Sequence, residues 1–180
     1  MATPLPPRFC PQCARPMPAG DAPLRCADAA CGFTWYRDPK VAVGVVVEDA
    51  DGRILLTRRN HEPRMGEWAF PSGFVDAGEV VEEAAAREVR EEAGVGVSID
   101  ALLGVYSESD EPVIFIAYAG SITDGDQTAG DEASEVAAFD ANALPPLAFV
   151  HDDRVMDAWR AYRAERDGRT VSAATKAKQP

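Results

Sequence analysis

Hydrophobic and polar residues along this chain follow two spacings, which predict a mixture of strands and helices. Residues 41–48 form a run rich in β-branched side chains, and the Asp-Ala-Asp-Gly stretch at residues 49–52 is typical of a turn. Residues 53–58 then complete a predicted hairpin. Three further strands and one polar loop are expected in the second half of the chain, namely strands at residues 97–106, 113–119 and 136–139 and the loop at residues 120–130.

Two segments carry the spacing of an amphipathic helix. Residues 152–166 place Val155, Trp159 and Tyr162 four and three positions apart, and this helix is expected to end near Gly168. The other segment lies in the window from residue 73 to residue 95, which reads GFVDAGEVVEEAAAREVREEAGV.

The glutamates in that window occupy an unusual side of the predicted helix. At about 100° per residue, Glu88, Glu91 and Glu92 fall within an arc of about 100°. They continue the apolar stripe, whose members are Val81, Ala84 and Ala85. An ordinary amphipathic helix carries its charges opposite that stripe, so these carboxylates are expected to point into a cleft. Because unpaired buried carboxylates are costly and hard oxygen ligands suit Mg²⁺ or Mn²⁺, a divalent-metal site is predicted.

Composition and charge exclude several classes of function. The chain has 180 residues, 46% of them hydrophobic, which is enough for one core and a small appendage. Its net charge of −12 is concentrated in residues 41–150, which argues against binding to long nucleic acids. The chain contains no apolar run long enough for a membrane span and no secretory h-region, so a cytoplasmic protein without a membrane partner is expected.

All four cysteines lie close together near the start of the chain. Cys10 and Cys13 form one pair, and Cys26 and Cys31 form a second pair with a wider spacing. Two such pairs separated by a loop are typical of a ribbon that binds structural Zn²⁺ through four thiolates. Disulfides are disfavoured in a cytosolic chain.

The acidic window also contains a complete sequence motif. Its fixed letters are Gly73, Glu79, Arg87, Glu88, Glu91, Glu92 and Gly94. At residue frequencies of about 5–7%, seven fixed letters coincide by chance with a probability on the order of 10⁻⁸ per window. The pattern matches every fixed position of the Nudix box. The chain therefore resembles the Nudix hydrolases, which use water to cleave a nucleoside diphosphate linked to another group, X.

The resemblance implies a role for each residue of the box. Glu88, Glu91 and Glu92 match the metal-binding glutamates, and the backbone carbonyl of Ser72 is expected to add a ligand. The remaining residues are expected to support the site. Arg87 is expected to orient a glutamate by pairing with it, and Glu79 is expected to lie in the outer shell. Gly73 and Gly94 are expected to mark the two ends of the box. Which glutamate bridges two ions stays open.

The resemblance also implies a carboxylate outside the box, from the acidic segment at residues 131–135. In the family, a glutamate shortly before a strand at this point often completes the site. Glu135 is favoured over Glu132, and the identity of the general base stays open.

Arginines and histidines near the box have two interpretations. Arg58, Arg59 and Arg64 precede the box and are candidates for binding the phosphate or adenine of a substrate, although ordinary solvated arginines would have the same pattern. The chain has only two histidines, His61 and His151, and both are interpreted as surface or structural residues.

A zinc ribbon followed by this box is similar to the NADH pyrophosphatases and to a related group that includes ADP-ribose and FAD pyrophosphatases. The NADH-specific branch carries an SQPWPFP-type motif, whereas this chain reads YSESDEPVI at residues 106–114. Pro112 stands near the position of a proline that ADP-ribose hydrolases often have. ADP-ribose or FAD is therefore the favoured substrate, and NADH or a nucleoside triphosphate is the alternative. A nucleotide-sensing regulator, whose ribbon contacts a partner, is the non-enzyme alternative.

These inferences combine into one expected architecture. The resemblance implies an α/β/α Nudix sandwich with a mixed sheet at residues 39–168, preceded by the zinc ribbon at residues 1–38. Residues 169–180 are expected to be a disordered tail. Family precedent also allows a homodimer, although the sequence identifies no interface.

Overall fold

The computed structural model describes residues 6–109 and 111–177, with side chains as far as residue 168. The chain divides into two compact units, Met1–Pro39 and Lys40–Pro180. The first unit contains a small antiparallel sheet made of β1 (Leu24–Arg25) and β2 (Thr34–Trp35).

The second unit combines one sheet with two helices. Its elements are β3 (Lys40–Glu48), β4 (Ile54–Arg59), β5 (Trp68–Ala69), β6 (Ser72–Phe74), α1 (Val81–Ala93), β7 (Gly96–Tyr106), β8 (Val113–Asp124), β9 (Ala133–Phe139) and α2 (Asp152–Ala177). The strand order is β5-β4-β3-β8-β7, with β6 also paired to β3 and β9 to β4. The sheet is mixed because β3 and β8 run parallel, whereas the other pairs are antiparallel.

The alternation of side chains along β3 divides the core between the two faces of the sheet. Val43, Val45 and Val47 pack on the face covered by α1, and Val46 packs on the face that holds Trp159 of α2. Successive residues of a strand point to opposite faces, so a nearly continuous apolar run is buried on both sides. The expected α/β/α sandwich with a mixed sheet is confirmed.

Several element boundaries differ from those predicted. The hairpin of β3 and β4 is confirmed by the pairing of Val47 with Leu55. By contrast, β8 continues to Asp124, into the predicted polar loop, because Asp124 still pairs with Gly96 of β7. None of the helices in the described part of the chain is both long and apolar enough to cross a membrane.

The end of α2 also differs from the prediction. This helix runs through Gly168 to Ala177, so the predicted end at Gly168 is wrong. One glycine inside a helix costs about 1 kcal/mol, which is too little by itself to end this helix. Of the expected disordered tail, residues 178–180 lie outside the described residues.

Candidate functional site

The three glutamates of α1 predicted to bind metal differ sharply in their exposure. Glu88 is 8% exposed and Glu92 is 5% exposed, whereas the side chain of Glu91 is 58% exposed. α1 ends at Gly94, which adopts the left-handed conformation (φ 74°) that glycine tolerates best. The helix therefore holds two buried carboxylates beside a third that is open to solvent.

Glu92 is held by the strands beneath α1. Its Oε2 accepts hydrogen bonds from Thr57 Oγ1 on β4 at 2.9 Å and from the backbone N–H of Ser72 on β6 at 3.4 Å. Burial raises the pKa of Glu92 to about 7, even though both hydrogen bonds favour its charged form. Sequence reasoning missed Thr57, because a threonine in a strand carries no signal of a partner 35 residues away.

Glu88 lies against the strand that precedes the box. A Cβ on Gly73 would overlap the Glu88 carboxylate, so the motif requires glycine there to let the backbone approach. Burial is also the largest effect on the pKa of Glu88 and raises it, and the negative charges of Glu91 and Glu132 act in the same direction.

Arg87 connects the carboxylates of the box. Its guanidinium donates to both oxygens of Glu79 at 2.8 and 3.0 Å, to Glu88 Oε1 at 2.7 Å and to Glu91 Oε2 at 3.0 Å. It also donates to the carbonyl of Phe74 at 3.1 Å. The hydrogen bonds from Arg87 lower the pKa of Glu79 to about 2. The structure thus places Arg87 where it orients Glu88 and Glu91, with Glu79 holding it in place.

The loop after β8 fixes the end of α1. The N–H groups of Thr128 and Gly130 donate to the carbonyls of Ala93 and Glu92 at 3.0 and 3.1 Å. These carbonyls belong to the last turn, where no partner is available within the helix. A Cβ on Gly130 would overlap the carbonyl oxygen of Glu91, so this contact also depends on a glycine. The loop then leads directly to the acidic segment at residues 131–135.

The two outlying carboxylates are both exposed, at 69% for Glu132 and 53% for Glu135, but they have different neighbours. Glu135 pairs with Arg58 across β9 and β4, and its carboxylate lies 3.6 Å from that guanidinium, exposed to solvent. Residues directly opposite in a sheet share a face, so Glu135 lies on the face opposite to Thr57. The charge of Glu132, by contrast, acts on Glu88. The register of β4 and β9 shifts between Arg58 and Arg59, which sequence reasoning could not foresee.

The three candidate arginines also separate. Arg58 donates to the carbonyl of Gly66 at 2.9 Å, and Arg64 lies 3.7 Å from the carboxylate of Glu67. Arg59 alone is buried, at 8% exposure.

None of the groups that Arg59 contacts among the described residues is a carboxylate. Its Nε donates to the carbonyl of Pro63 at 2.8 Å, a terminal nitrogen lies 2.8 Å from His61 Nε2, and its guanidinium lies 5.3 Å from the ring centroid of Phe149. Burial lowers the pKa of Arg59, and the charges of Glu92 and Glu132 act in the opposite direction. Arg59 is therefore a buried cation next to the carboxylates of the site.

The four cysteines form a separate cluster in the first unit. Their sulfur atoms all lie within 4.8 Å of one another. The distance from Cys10 Sγ to Cys31 Sγ is 3.7 Å, and that from Cys13 Sγ to Cys26 Sγ is 3.6 Å. A tetrahedral site with Zn–S bonds of about 2.3 Å requires sulfur atoms about 3.8 Å apart. The wider spacing of the second pair does not prevent convergence, and the cluster has the geometry of a four-thiolate zinc site.

Comparison with known families agrees with this geometry. The model of the NUDIX domain matches residues 38–160. The chain belongs to the Nudix hydrolase family. Its helix α1 is thus the Nudix helix, and the protein is a Nudix pyrophosphohydrolase.

Individual Nudix relatives match large parts of the chain. An ADP-ribose pyrophosphatase from Methanocaldococcus jannaschii is 43% identical over 132 residues, covering 71% of this chain and 78% of that protein. An NAD-capped RNA hydrolase, NudC, from Pseudomonas aeruginosa is 30% identical over 141 residues, covering 78% of this chain but only 50% of that protein. The crystal structure of a NUDIX hydrolase from Nitrosomonas europaea superposes with a TM-score of 0.75 at 30% identity, covering 89% of this chain and 93% of that one.

The cysteine cluster predicts a measurable metal content. Purified protein is expected to contain about one Zn²⁺ per chain, measured by plasma mass spectrometry, because four converging thiolates bind Zn²⁺ strongly. The variant Cys13→Ser should lose this zinc, and Co²⁺ substituted in the wild type should show thiolate charge-transfer absorption. A zinc-free preparation in which all four thiols react rapidly with a thiol reagent would contradict the prediction.

The burial of Glu92 predicts an unusual dependence of stability on pH. Because the pKa of Glu92 rises from 4.5 to about 7 on folding, its ionisation should destabilise metal-free protein progressively as the pH rises through that range. At pH 8 the variant Glu92→Gln should therefore unfold at a higher urea concentration than the wild type. Its free energy of unfolding should exceed that of the wild type by up to about 3 kcal/mol. This difference in the free energy of unfolding should disappear as the pH falls toward 4.5.

The matched control is Glu83→Gln, which changes an exposed glutamate on the same helix. Both variants would be unfolded in urea with a chelator at pH 5 and at pH 8. A stability difference for Glu92→Gln that is the same at both pH values would show that its ionisation is not linked to folding.

Proposed function

We propose that this protein hydrolyses ADP-ribose, with Mg²⁺ or Mn²⁺, to AMP and ribose 5-phosphate. The observation that carries the proposal is the buried pair of Glu88 and Glu92 beside the exposed Glu91 on the Nudix helix. Arg87 of the same helix pairs with Glu88 and Glu91. The relative from Methanocaldococcus jannaschii, named an ADP-ribose pyrophosphatase, supports ADP-ribose as X. FAD contains the same adenosine diphosphate half and is the second candidate.

The carboxylates of α1 fit a divalent cation. Burial raises the pKa of both Glu88 and Glu92, so each carboxylate is charged at a cost that a bound cation would remove. We expect Glu88, Glu91 and Glu92 to hold Mg²⁺ or Mn²⁺, with the carbonyl of Ser72 as a further ligand. When bound, the cation supplies charge neutralisation for the diphosphate and activates the attacking water.

Arg59 is proposed to bind the diphosphate. It is buried near the carboxylates, and its hydrogen bonds go to the neutral acceptors Pro63 and His61. Its positive charge is therefore available to a phosphate oxygen. Arg58 and Arg64, which lie near the carboxylates of Glu135 and Glu67, are not assigned to the substrate.

Glu132 is proposed as the general base instead of Glu135. Its carboxylate would take a proton from the attacking water as the new P–O bond forms. The bond between phosphorus and the bridging anhydride oxygen breaks, and the leaving phosphate retains that oxygen. The electrostatic influence of Glu132 on Glu88 and Arg59 supports this placement. The pairing of Glu135 with Arg58, on the face of the sheet opposite to Thr57, argues against Glu135 in this role.

A substrate panel tests the proposed reaction. ADP-ribose, FAD, NADH and nucleoside triphosphates would be incubated with Mg²⁺ or Mn²⁺, and the products separated by chromatography. We expect AMP from ADP-ribose, and Glu91→Gln should lose most of this activity because it removes a charged ligand from an exposed position. Glu83→Gln should retain it. Nucleotide binding without turnover of any compound would favour a nucleotide-sensing regulator.

A second comparison tests the general base. Glu132→Gln is expected to lower kcat by about 10²-fold or more, as removal of a general base does, whereas Glu135→Gln should stay within about twofold of the wild type. Both values would be measured with ADP-ribose at saturating Mg²⁺. If Glu135→Gln lost the activity and Glu132→Gln kept it, the proposed assignment would be reversed.

A further inference from the structure

His61 lies between the two groups assigned to the substrate and to the water. Its Nε2 is 2.8 Å from a terminal nitrogen of Arg59 and 3.9 Å from Oε2 of Glu132. No sequence pattern marked this histidine, and the proposed reaction does not use it. Its place between a buried cation and a nearby carboxylate nevertheless requires a physical explanation.

The hydrogen bond with Arg59 fixes the state of the imidazole. A guanidinium can only donate, so Nε2 of His61 is the acceptor and carries no proton. The proton of the neutral ring is then on Nδ1, which lies 3.3 Å from Oδ1 of Asn60. His61 therefore presents a neutral acceptor to Arg59.

The backbone keeps this arrangement together. Asn60 donates through its side chain to the carbonyl of Asp131 at 2.6 Å, and through its backbone N–H to the carbonyl of Glu132 at 3.3 Å. These bonds tie the loop that carries His61 to the acidic segment. Arg59 and Glu132 are consequently held near one another, where opposite charges attract.

An arginine and a glutamate held so close would pair if nothing separated them. Such a pair would occupy the donors that a phosphate needs and the carboxylate oxygen that a water needs. The ring of His61 opposes this pairing, because its Nε2 takes up a donor of Arg59 and lies 3.9 Å from Oε2 of Glu132, whose side chain is otherwise 69% exposed. Neutral partners thus hold the cation without cancelling its charge.

We propose that His61 is a positioning residue that keeps Arg59 and Glu132 apart, so that Arg59 remains free for the diphosphate and Glu132 for the attacking water. This inference rests on the roles proposed above for Arg59 and Glu132. The inference predicts that replacing His61 weakens substrate binding only when Glu132 is present to pair with Arg59.

A binding cycle tests this inference without requiring turnover. The affinity for ADP would be measured by calorimetry, with Ca²⁺ in place of Mg²⁺, for the wild type, His61→Ala, Glu132→Gln and the double variant. We expect His61→Ala to bind ADP about tenfold more weakly, because Arg59 turns to Glu132 and a charge-assisted hydrogen bond to phosphate is lost. In the Glu132→Gln background the same change should have little effect.

The conservative variant His61→Gln separates positioning from general damage to the fold. Its side-chain amide oxygen can accept from Arg59, so ADP affinity should recover to within about twofold of the wild type. Equal weakening by His61→Ala in both backgrounds, or no weakening in either, would overturn the inference. Thermal unfolding of each variant would be followed in parallel.

The two proposals fail in different ways. If ADP binds and the cycle behaves as described, but ADP-ribose is not hydrolysed, the proposed substrate is wrong and the role of His61 stands. If ADP-ribose is hydrolysed and the cycle shows no coupling, the reaction stands and the role of His61 is lost. If the wild type does not bind ADP at all, Arg59 does not recognise a diphosphate and the inference falls with it.

Discussion

The burial of two carboxylates on α1 is the constraint on which the rest of the site depends. Removing a carboxylate from water is unfavourable unless hydrogen bonds or a cation compensate. Hydrogen bonds meet this requirement in part. Thr57 and the backbone of Ser72 donate to Glu92, and Arg87 donates to Glu88. These contacts leave both pKa values raised, so the folded chain keeps an unmet preference for positive charge at this point.

The two arginines near these carboxylates differ in their partners. Arg87 is surrounded by the carboxylates of Glu79, Glu88 and Glu91, so its charge is balanced within the protein. Arg59 is held by a carbonyl, an imidazole and an aromatic ring. A buried cation with neutral partners is less stable than one in an ion pair. Binding of an anion would therefore be favourable at Arg59. This contrast in partners is the basis for proposing Arg59, and not Arg87, as the arginine that binds the substrate.

The parts of the site that sequence could predict are those that depend on local spacing. Glu88, Glu91 and Glu92 share one side of a single helix, so their convergence follows from the period of that helix alone. The hairpin follows in the same way from an apolar run and turn residues, whereas the sandwich is implied by the resemblance to the Nudix hydrolases. The contacts of Thr57 with Glu92 and of His61 with Arg59 and Glu132 arise from tertiary packing and from the register shift of β4 and β9 at Arg58 and Arg59. A shift of one residue moves a side chain to the other face of a sheet, so the spacing of the acidic segment alone cannot choose between Glu132 and Glu135.

The small unit at the start of the chain depends on a different source of stability. Among its described residues, only Cys10 and Leu24 have buried hydrophobic side chains, and a two-stranded sheet alone is marginal in water. Apolar burial of this extent cannot offset the entropy of ordering the unit. The four sulfur atoms are nevertheless arranged at the spacing of a tetrahedral thiolate site. Bound metal would supply the missing free energy, since ligands brought together only in the folded state convert binding energy into folding energy. Cations would thus serve two purposes in this chain, one to hold a small unit folded and the other to make a buried acidic site accept a negatively charged substrate.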